Sequence, residues 1–421
     1  MELSKIKMLV GGTGERLPIL TNANGELDYF PNLYALTYQR ARNRASHTIE
    51  NSLRAIAIAH QFFICKKINI ESRLAEGDFL ARAELEELNR LCRYNKKDID
   101  ELLVSEKEPS KKEVLLNPLL RKNSPRPFPE ITRQTAALRQ IYIKSYLLWL
   151  LDWSVHSTHA PAQLFGWAKK MSQRVRTSFP TSIKRRSKGV RQGLSDDAQQ
   201  ELLRIISPRS ADNPWESNFC RSRNSLLIIL LFYLGVRRGE LLALQVRDLN
   251  FSKNKILVAR RPDNPEDSRR HQPLVKTLPR ELPLEGGLAE KVYEYIHEFR
   301  KIPPLSKKHP FLFVSQAGAP FSLSGISHVY KDIRAASPQL LGTFSGHILR
   351  HTWNDRFSQL MQKNGVSPAR EQQIRCHLMG WVPHSRTAEV YTKRYVQEEA
   401  MQFFLQIQQQ VIRIGGFNER V

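Results

Sequence analysis

The chain of 421 residues is poor in cysteine, in long apolar runs and in acidic residues relative to basic ones. Its four cysteines, Cys65, Cys92, Cys220 and Cys376, are far apart and show neither a Cys-x-x-Cys pair nor metal-ligand spacing. That argues against a disulfide scaffold or a zinc site, and the expectation is reduced, mostly buried thiols of a cytosolic protein. No stretch approaches the ~20 apolar residues needed to span a bilayer. The most apolar run, Leu226 to Leu234, is about half that length and reads as a buried helix. The opening Met1-Glu2-Leu3-Ser4-Lys5 has no apolar signal region. Internal repeats and low-complexity segments are not evident. Acidic residues number 41 against 65 Lys and Arg, which leaves a formal net charge of +24. Clustered cations displace counterions from a phosphate backbone, so this balance points to a polyanionic partner. A membrane surface is the rival polyanion.

The length allows two or three domains, each with its own core. Residues 1–45 mix strand-like pieces with turns and read as an N-terminal arm with a possible β-hairpin, the pair Asn24-Gly25 suggesting a tight turn. Gly11-Gly12-Thr13-Gly14-Glu15-Arg16 resembles a phosphate loop superficially. It lacks the Lys-Ser/Thr ending and is read as a turn. From Ser46 the pattern is helical, with Ile49, Leu53, Ile56, His60 and Phe63 on one face. A second helix is expected over about Ala81 to Arg93. Five prolines, Pro109, Pro118, Pro125, Pro127 and Pro129, interrupt residues 105–130. Helix returns from Thr132 to about Trp153, where Tyr146, Trp149, Leu150 and Trp153 form an apolar stripe, read as core. These helices define a second domain, 46–168.

Residues 169–192 read as a basic linker. Lys169, Lys170, Arg174, Arg176, Lys184, Arg185, Arg186, Lys188 and Arg191 occur with no acidic residue among them. The segment is either a solvated connector or one that touches a nucleic-acid backbone, and it can be both. The last domain spans 193–421. A helix is expected to start near Leu194-Ser195-Asp196-Asp197, and Gly235 suits the C-terminal cap of the apolar helix before it. Lys255 to Arg260 reads as a strand, with Gln272 to Leu284 as its partner after a long connection. Helices are expected over 287–301, 324–336, 346–364, 368–379 and 386–410, with a short strand at Phe311-Leu312-Phe313-Val314. The fold class is therefore mainly α with a small β-sheet.

Two arginine-bearing boxes and a tyrosine carry the chemistry. The first box is Gly235-Val236-Arg237-Arg238-Gly239-Glu240, followed by Leu241-Leu242-Ala243-Leu244; the second is His347-Ile348-Leu349-Arg350-His351-Thr352. Guanidiniums offer planar forks to nonbridging phosphate oxygens. A phenol can attack phosphorus and hold the phosphate covalently. His347 precedes Arg350 by three residues, so both can project from one helix face. A third box reads Leu378-Met379-Gly380-Trp381, then Tyr391-Thr392.

From about Gly193 to Tyr395 the chain resembles the catalytic domain of the tyrosine recombinases, the family of phage integrases and Xer-type enzymes. The three boxes stand in that family's order, with a basic hairpin between the first two. The resemblance implies a helical core-binding (SAM-like) domain ahead of a mixed α/β catalytic domain, the two forming a C-shaped DNA clamp. It implies Arg237 and Arg350 as phosphate clamps and Tyr391 as nucleophile, with Tyr395 as a decoy one helical turn later. His347 would assist proton transfer. Lys276 would protonate the leaving 5′ oxygen, with Lys253 and Lys255 as alternatives because of the insertion at 262–273. Trp381 would position the phosphate, with His384 as a rival for that place, and Glu240 would buttress Arg237 or Lys276. The nine basic residues of the linker would contact DNA. The implied partner is double-stranded DNA, bound by a protein that is monomeric in solution and tetrameric on the synapse, with accessory recombination proteins possible. The implied chemistry requires no metal and no cofactor. The implied activity is integration or excision of a mobile element through a 3′-phosphotyrosyl intermediate. The alternatives are a type IB topoisomerase-like enzyme and a catalytically silent regulator of the same fold. A C-terminal apolar tail, Phe403 to Ile412, is expected either to dock on a neighbouring protomer or to pack on its own chain.

Overall fold

The computed structural model of the protein describes residues 4–105, 129–156, 162–180, 193–340, 344–383, 385, 401 and 403–408. The chain divides into two compact units, residues 1–186 and 187–421. Among the described residues no helix is long and apolar enough to cross a membrane.

The first unit opens with an antiparallel hairpin of β1 (Ser4–Val10) and β2 (Arg16–Asn22). Its turn is Gly11 to Glu15, so the glycine-rich run is a turn. The tight turn expected at Asn24-Gly25 follows this hairpin: Gly25 at φ 89° donates to the Asn22 carbonyl, and Thr21 and Leu27 form an antiparallel bridge across it. The hairpin that the sequence allowed for in this segment is present, and Leu20 of β2 is fully buried in the unit's core. Among the described residues the α-helices that follow before the basic stretch are α1 (Tyr29–Tyr34), α2 (Ser46–Cys65), α3 (Ile70–Ala75), α4 (Arg82–Leu91), α5 (Lys96–Ser105) and α6 (Arg133–His156). In α2 the expected face is the buried one: Ile49, Leu53 and Ile56 are fully enclosed, and His60 reaches the Asp28 carboxylate and the Tyr146 hydroxyl, both at 2.9 Å. Tyr146, Trp149 and Leu150 of α6 are core residues, and Trp153 stacks on Trp149.

The start of the expected linker is structured. Residues 169–178 are the last turns of α7 (Ala162–Ser178). Ala168, Met171, Val175 and then Phe179 are buried, and their spacing is a helix period hidden beneath the surrounding Lys and Arg.

The second unit begins with α8 (Asp196–Ile206), which Ser195 caps by accepting from the Ala198 N–H. Next come α9 (Asn218–Leu234) and the short α10 (Arg238–Ala243). A three-stranded antiparallel sheet of β3 (Leu249–Asn250), β4 (Lys255–Val258) and β5 (Arg280–Pro283) pairs Ile256 with both Leu249 and Leu282. The partner strand is much shorter than Gln272 to Leu284. Pro273 and Pro279 have no N–H for a ladder, and the chain joins the sheet only at Arg280. Likewise Phe311–Val314 is not a regular strand, but forms isolated bridges from Phe311 to Gln245 and from Val314 to Pro320. Then come α11 (Gly286–Glu294), which runs on as a π-helical turn to Arg300, α12 (Leu323–Ala336), α13 (Gly346–Lys363) and α14 (Pro368–Met379). Residues 403–408 are helical, and Phe403, Phe404, Leu405 and Ile407 are exposed. Most of the expected helix 386–410 lies outside the described residues.

The insertion at 262–273 is pinned to the core by its own charges. Arg269 is buried, pairs with Asp267, and donates Nη1 to the carbonyls of Leu242 (3.0 Å) and Phe321 (2.8 Å). Arg261 pairs with the buried Asp248. The loop that leads to Lys276 is thus anchored beneath α10.

Candidate active site

The site is organised around the carboxylate of Glu240. Gly235 ends α9 in the left-handed conformation, and the chain turns so that Arg237 becomes the N-cap of α10. Glu240, three residues on, reaches back to the Arg237 backbone N–H at 3.1 Å, one half of a capping box. The same carboxylate accepts from Arg237 Nη1 at 3.2 Å, Thr277 Oγ1 at 2.9 Å and Arg280 Nη2 at 2.9 Å. Its side chain is fully enclosed. Burial by itself would raise its pKa, but the charges of Arg280 and Arg350 outweigh burial and hold Glu240 below the usual carboxylate range.

Arg280 joins the remaining parts. Its Nε donates to the Leu378 carbonyl at 2.6 Å and its Nη1 to Thr277 Oγ1 at 3.3 Å. Beside it the Leu278 N–H donates to the Gly380 carbonyl at 2.9 Å. The end of α14 is therefore stitched to the segment carrying Lys276. Gly380 has φ 63°, and a Cβ there would meet Arg280 Nη1 and the Leu278 carbonyl oxygen at 2.8 Å, so only glycine permits this approach.

Arg350 lies on α13, is 2% exposed, and donates Nη1 to the Gly235 carbonyl at 2.7 Å. Its guanidinium sits 5.2 Å from the ring centroid of Trp381, which follows Gly380 directly. Trp381 is itself buried, in a cluster with Cys376, Met379 and Trp353. Arg237, Glu240, Arg350, Trp381 and the segment of Lys276 are thus linked by direct contacts. Arg237 keeps 37% of its side chain exposed, as a ligand-binding group requires. His347 is exposed one turn before Arg350's neighbour His351, the two imidazoles meeting edge to face at 4.5 Å.

Lys276 is exposed between the buried Val275 and Thr277, on the approach to β5 and not on a strand as expected. Lys255, one of its alternatives, pairs with Glu281 across the sheet. Tyr391, Tyr395 and His384 lie outside the described residues. Of the nine basic positions, Lys169, Lys170 and Arg176 are exposed on α7. Arg174 is half-buried and donates to the Leu80 carbonyl, a structural contact. Lys184, Arg185, Arg186, Lys188 and Arg191 lie outside the described residues. Among the described residues no group of three or more His, Cys, Asp or Glu could hold a metal ion. The described cysteines are free thiols, and burial pushes that of Cys92 up to about 12.

Sequence reading missed Arg280 and Thr277. A signal was present: in β5, Arg280 and Leu282 share the inward face, so a two-residue period places a guanidinium in the core. A buried guanidinium needs an anion, and Glu240 supplies it.

An enclosed carboxylate that binds Arg237 and Arg280, and that feels the charge of Arg350, defines a domain built to present cationic groups. Residues 199–398 match the model of the phage integrase family. This part of the chain, a little under half of it, is thus a domain of the phage integrase family. It is 26% identical over 188 residues to the tyrosine recombinase XerC of Pediococcus pentosaceus, covering 43% of this chain and 54% of that protein. With the XerC of Staphylococcus haemolyticus the identity is 27% over 131 residues, or 31% of this chain and 38% of the relative. The chain thus spans about half, or less, of the length of these relatives. Among solved structures it is similar to the XerH site-specific recombinase bound to its difH substrate, with a TM-score of 0.42, 18% identity, and coverage of 82% of this chain and 88% of that one. It is also similar to the Tn1549 transposon integrase in complex with transposon right end DNA, with a TM-score of 0.43, 16% identity, and coverage of 76% and 99%.

Proposed function

We propose that the protein is a site-specific DNA recombinase that cuts and rejoins duplex DNA through a 3′-phosphotyrosyl intermediate, in the service of a mobile element. The observation that carries this reading is the Glu240 knot, which gathers Arg237, Arg350, Trp381 and the Lys276 segment around one place. Arg237 and Arg350 bind the nonbridging oxygens and stabilise the charge that builds on the pentacoordinate phosphorus. Tyr391 attacks phosphorus through its phenolic oxygen, and the bond to the 5′ oxygen breaks. Lys276 gives that oxygen its proton, and His347 takes part in proton transfer from the tyrosine. The released 5′ hydroxyl of a partner strand then attacks the phosphotyrosine, and the phenol leaves. One ester replaces another at each step, so the reaction needs no external energy source. The basic surface and segment at 169–191 hold the DNA backbone, and synapsis brings four protomers together.

A pool of nicked duplexes with a randomised core tests this reading. Incubated with the protein in EDTA and then denatured, DNA should remain attached to wild-type protein and to the Tyr395→Phe variant. Tyr391→Phe should bind DNA without forming an adduct. An adduct that survives in Tyr391→Phe and is lost in Tyr395→Phe would identify the other phenol as nucleophile. No adduct with any variant would favour a silent DNA-binding regulator. Sequencing the attached DNA yields the duplex for later tests.

A further inference from the structure

Arg280 is almost wholly buried, yet it touches three separate parts of the site. It is 6% exposed. One nitrogen reaches Glu240, one reaches Thr277 and the third reaches the Leu378 carbonyl, so all three guanidinium nitrogens are used. Glu240 lies 40 residues earlier in the chain and Leu378 lies 98 later. Through these bonds one guanidinium touches the first box, the Lys276 segment and the third box together. We propose that Arg280 is a positioning residue of the transesterification: it fixes the Lys276 segment and the Trp381 turn to the carboxylate that orients Arg237. This rests on the recombinase reading above and extends it to a residue that never meets the DNA.

The alternative for a buried cation is simple charge balance with Glu240. Geometry separates the two. Charge balance requires only the bond to Glu240, whereas positioning also requires the bonds to Leu378 and Thr277. A lysine could keep the first but cannot span all three, because its ammonium is a point donor and not a planar fork. A methionine removes the charge and leaves Glu240 buried with one cation fewer. Changing Glu240 to Gln at the same time removes the orphaned charge.

The experiment compares wild type, Arg280→Lys, Arg280→Met and the double variant Arg280→Met/Glu240→Gln in the full chain, on the duplex recovered by covalent capture. Each is assayed for DNA affinity, single-turnover adduct formation and denaturant midpoint. Arg280→Lys should fold and bind DNA as wild type does, yet form adduct about 100-fold more slowly, the order of loss that follows a misplacement of about 1 Å. The double variant should recover the midpoint lost in Arg280→Met without recovering the rate. Amide exchange of residues 274–278, which report the Leu278–Gly380 bond, should speed up in all three variants whether or not they cleave. If Arg280→Lys cleaves at the wild-type rate, or if rate and midpoint recover together in the double variant, Arg280 only balances charge and the proposal is overturned. Unchanged exchange at 274–278 would overturn it too, even in a protein that proved unable to cut DNA. Absence of wild-type adduct, by contrast, counts against the recombinase reading alone.

Discussion

Arg350 donates a guanidinium N–H to the carbonyl of Gly235 at 2.7 Å, so one arginine of the site is hydrogen-bonded to the turn that launches the other. The two are 113 residues apart in the chain, counting from Arg237 to Arg350. Their spacing is therefore fixed by the packing of α9 against α13 and not by local sequence. Glu240 completes the relationship, since its anion orients Arg237 and feels the charge of Arg350.

Gly235 should accordingly tolerate no side chain. Its φ is 61°, and an added Cβ would lie 2.6 Å from the Trp353 ring. Alanine where φ is positive destabilises by more than about 1 kcal/mol, and the clash adds to this. Gly235→Ala should lower the denaturant midpoint and slow adduct formation, because Trp353 and Arg350 share α13. A variant with wild-type midpoint and rate would contradict this account of the turn.

His309 offers a test of the core that is independent of DNA. Its Nε2–H donates to the Gly318 carbonyl at 2.7 Å, while Nδ1 accepts from the Phe311 N–H at 3.2 Å. Burial, with Arg300 and Arg269 nearby, lowers its pKa below 6.5 despite the bond to Gly318. The folded state thus prefers the neutral ring. Stability from this group is fully present above the unfolded pKa of about 6.5 and falls as pH drops towards the folded value. Denaturation at pH 7.5 and pH 5.5 should show wild type losing more stability on acidification than His309→Gln. Equal losses would mean that the ring carries no such linkage.

Much of the second unit was legible because its helices announce their ends. Ser195, Ser345 and Ser367 cap α8, α13 and α14 with their hydroxyls, and Gly235 and Gly380 close α9 and α14 in the left-handed conformation. The boxes fixed Arg237 and Arg350 to helix ends and faces that need no knowledge of the rest. Two kinds of feature stayed hidden. In α7 the apolar period is sparse, and the basic residues between its members read as a linker. In Arg280 and Arg269 a residue type that is normally exposed lies inside: Arg280 is held by Glu240, and Arg269, besides its neighbour Asp267, by the carbonyls of Leu242 and Phe321, which only the tertiary fold supplies. Burial of a charge depends on a distant partner, and no local pattern records that partner.

Lys276 can be tested by relieving the task assigned to it. In a duplex with sulfur at the 5′-bridging position, the leaving group departs without needing much protonation. Lys276→Ala should form adduct slowly on ordinary DNA, by a factor of about 10² to 10⁴ if it is the general acid. On the sulfur duplex most of that loss should vanish. Rescue of Lys253→Ala or Lys255→Ala instead would assign the acid to β4 or the turn before it, although Lys255 is held by Glu281.

The basic residues of 169–191 should separate into two groups on a salt titration. Arg174 is tied to the Leu80 carbonyl, so its loss should act on the stability of the first unit and not on DNA affinity. Lys169, Lys170 and Arg176 are exposed on the same helix and can reach a phosphate backbone without refolding. Each neutralised phosphate releases condensed counterions, and log affinity falls with log salt by about 0.9 per contact. Replacing these three by Ala should make the slope shallower by up to ~2.7 if all three touch phosphate. The triple replacement of Lys184, Arg185 and Arg186 is bounded by the same figure and tests the stretch beyond the helix. Backbone contacts position a protein without reading bases, so both sets should weaken binding to captured and random duplexes alike. An unchanged slope in both sets would leave the basic stretch as a solvated connector, while a selective loss on the captured duplex would mean that it reads base edges or groove shape.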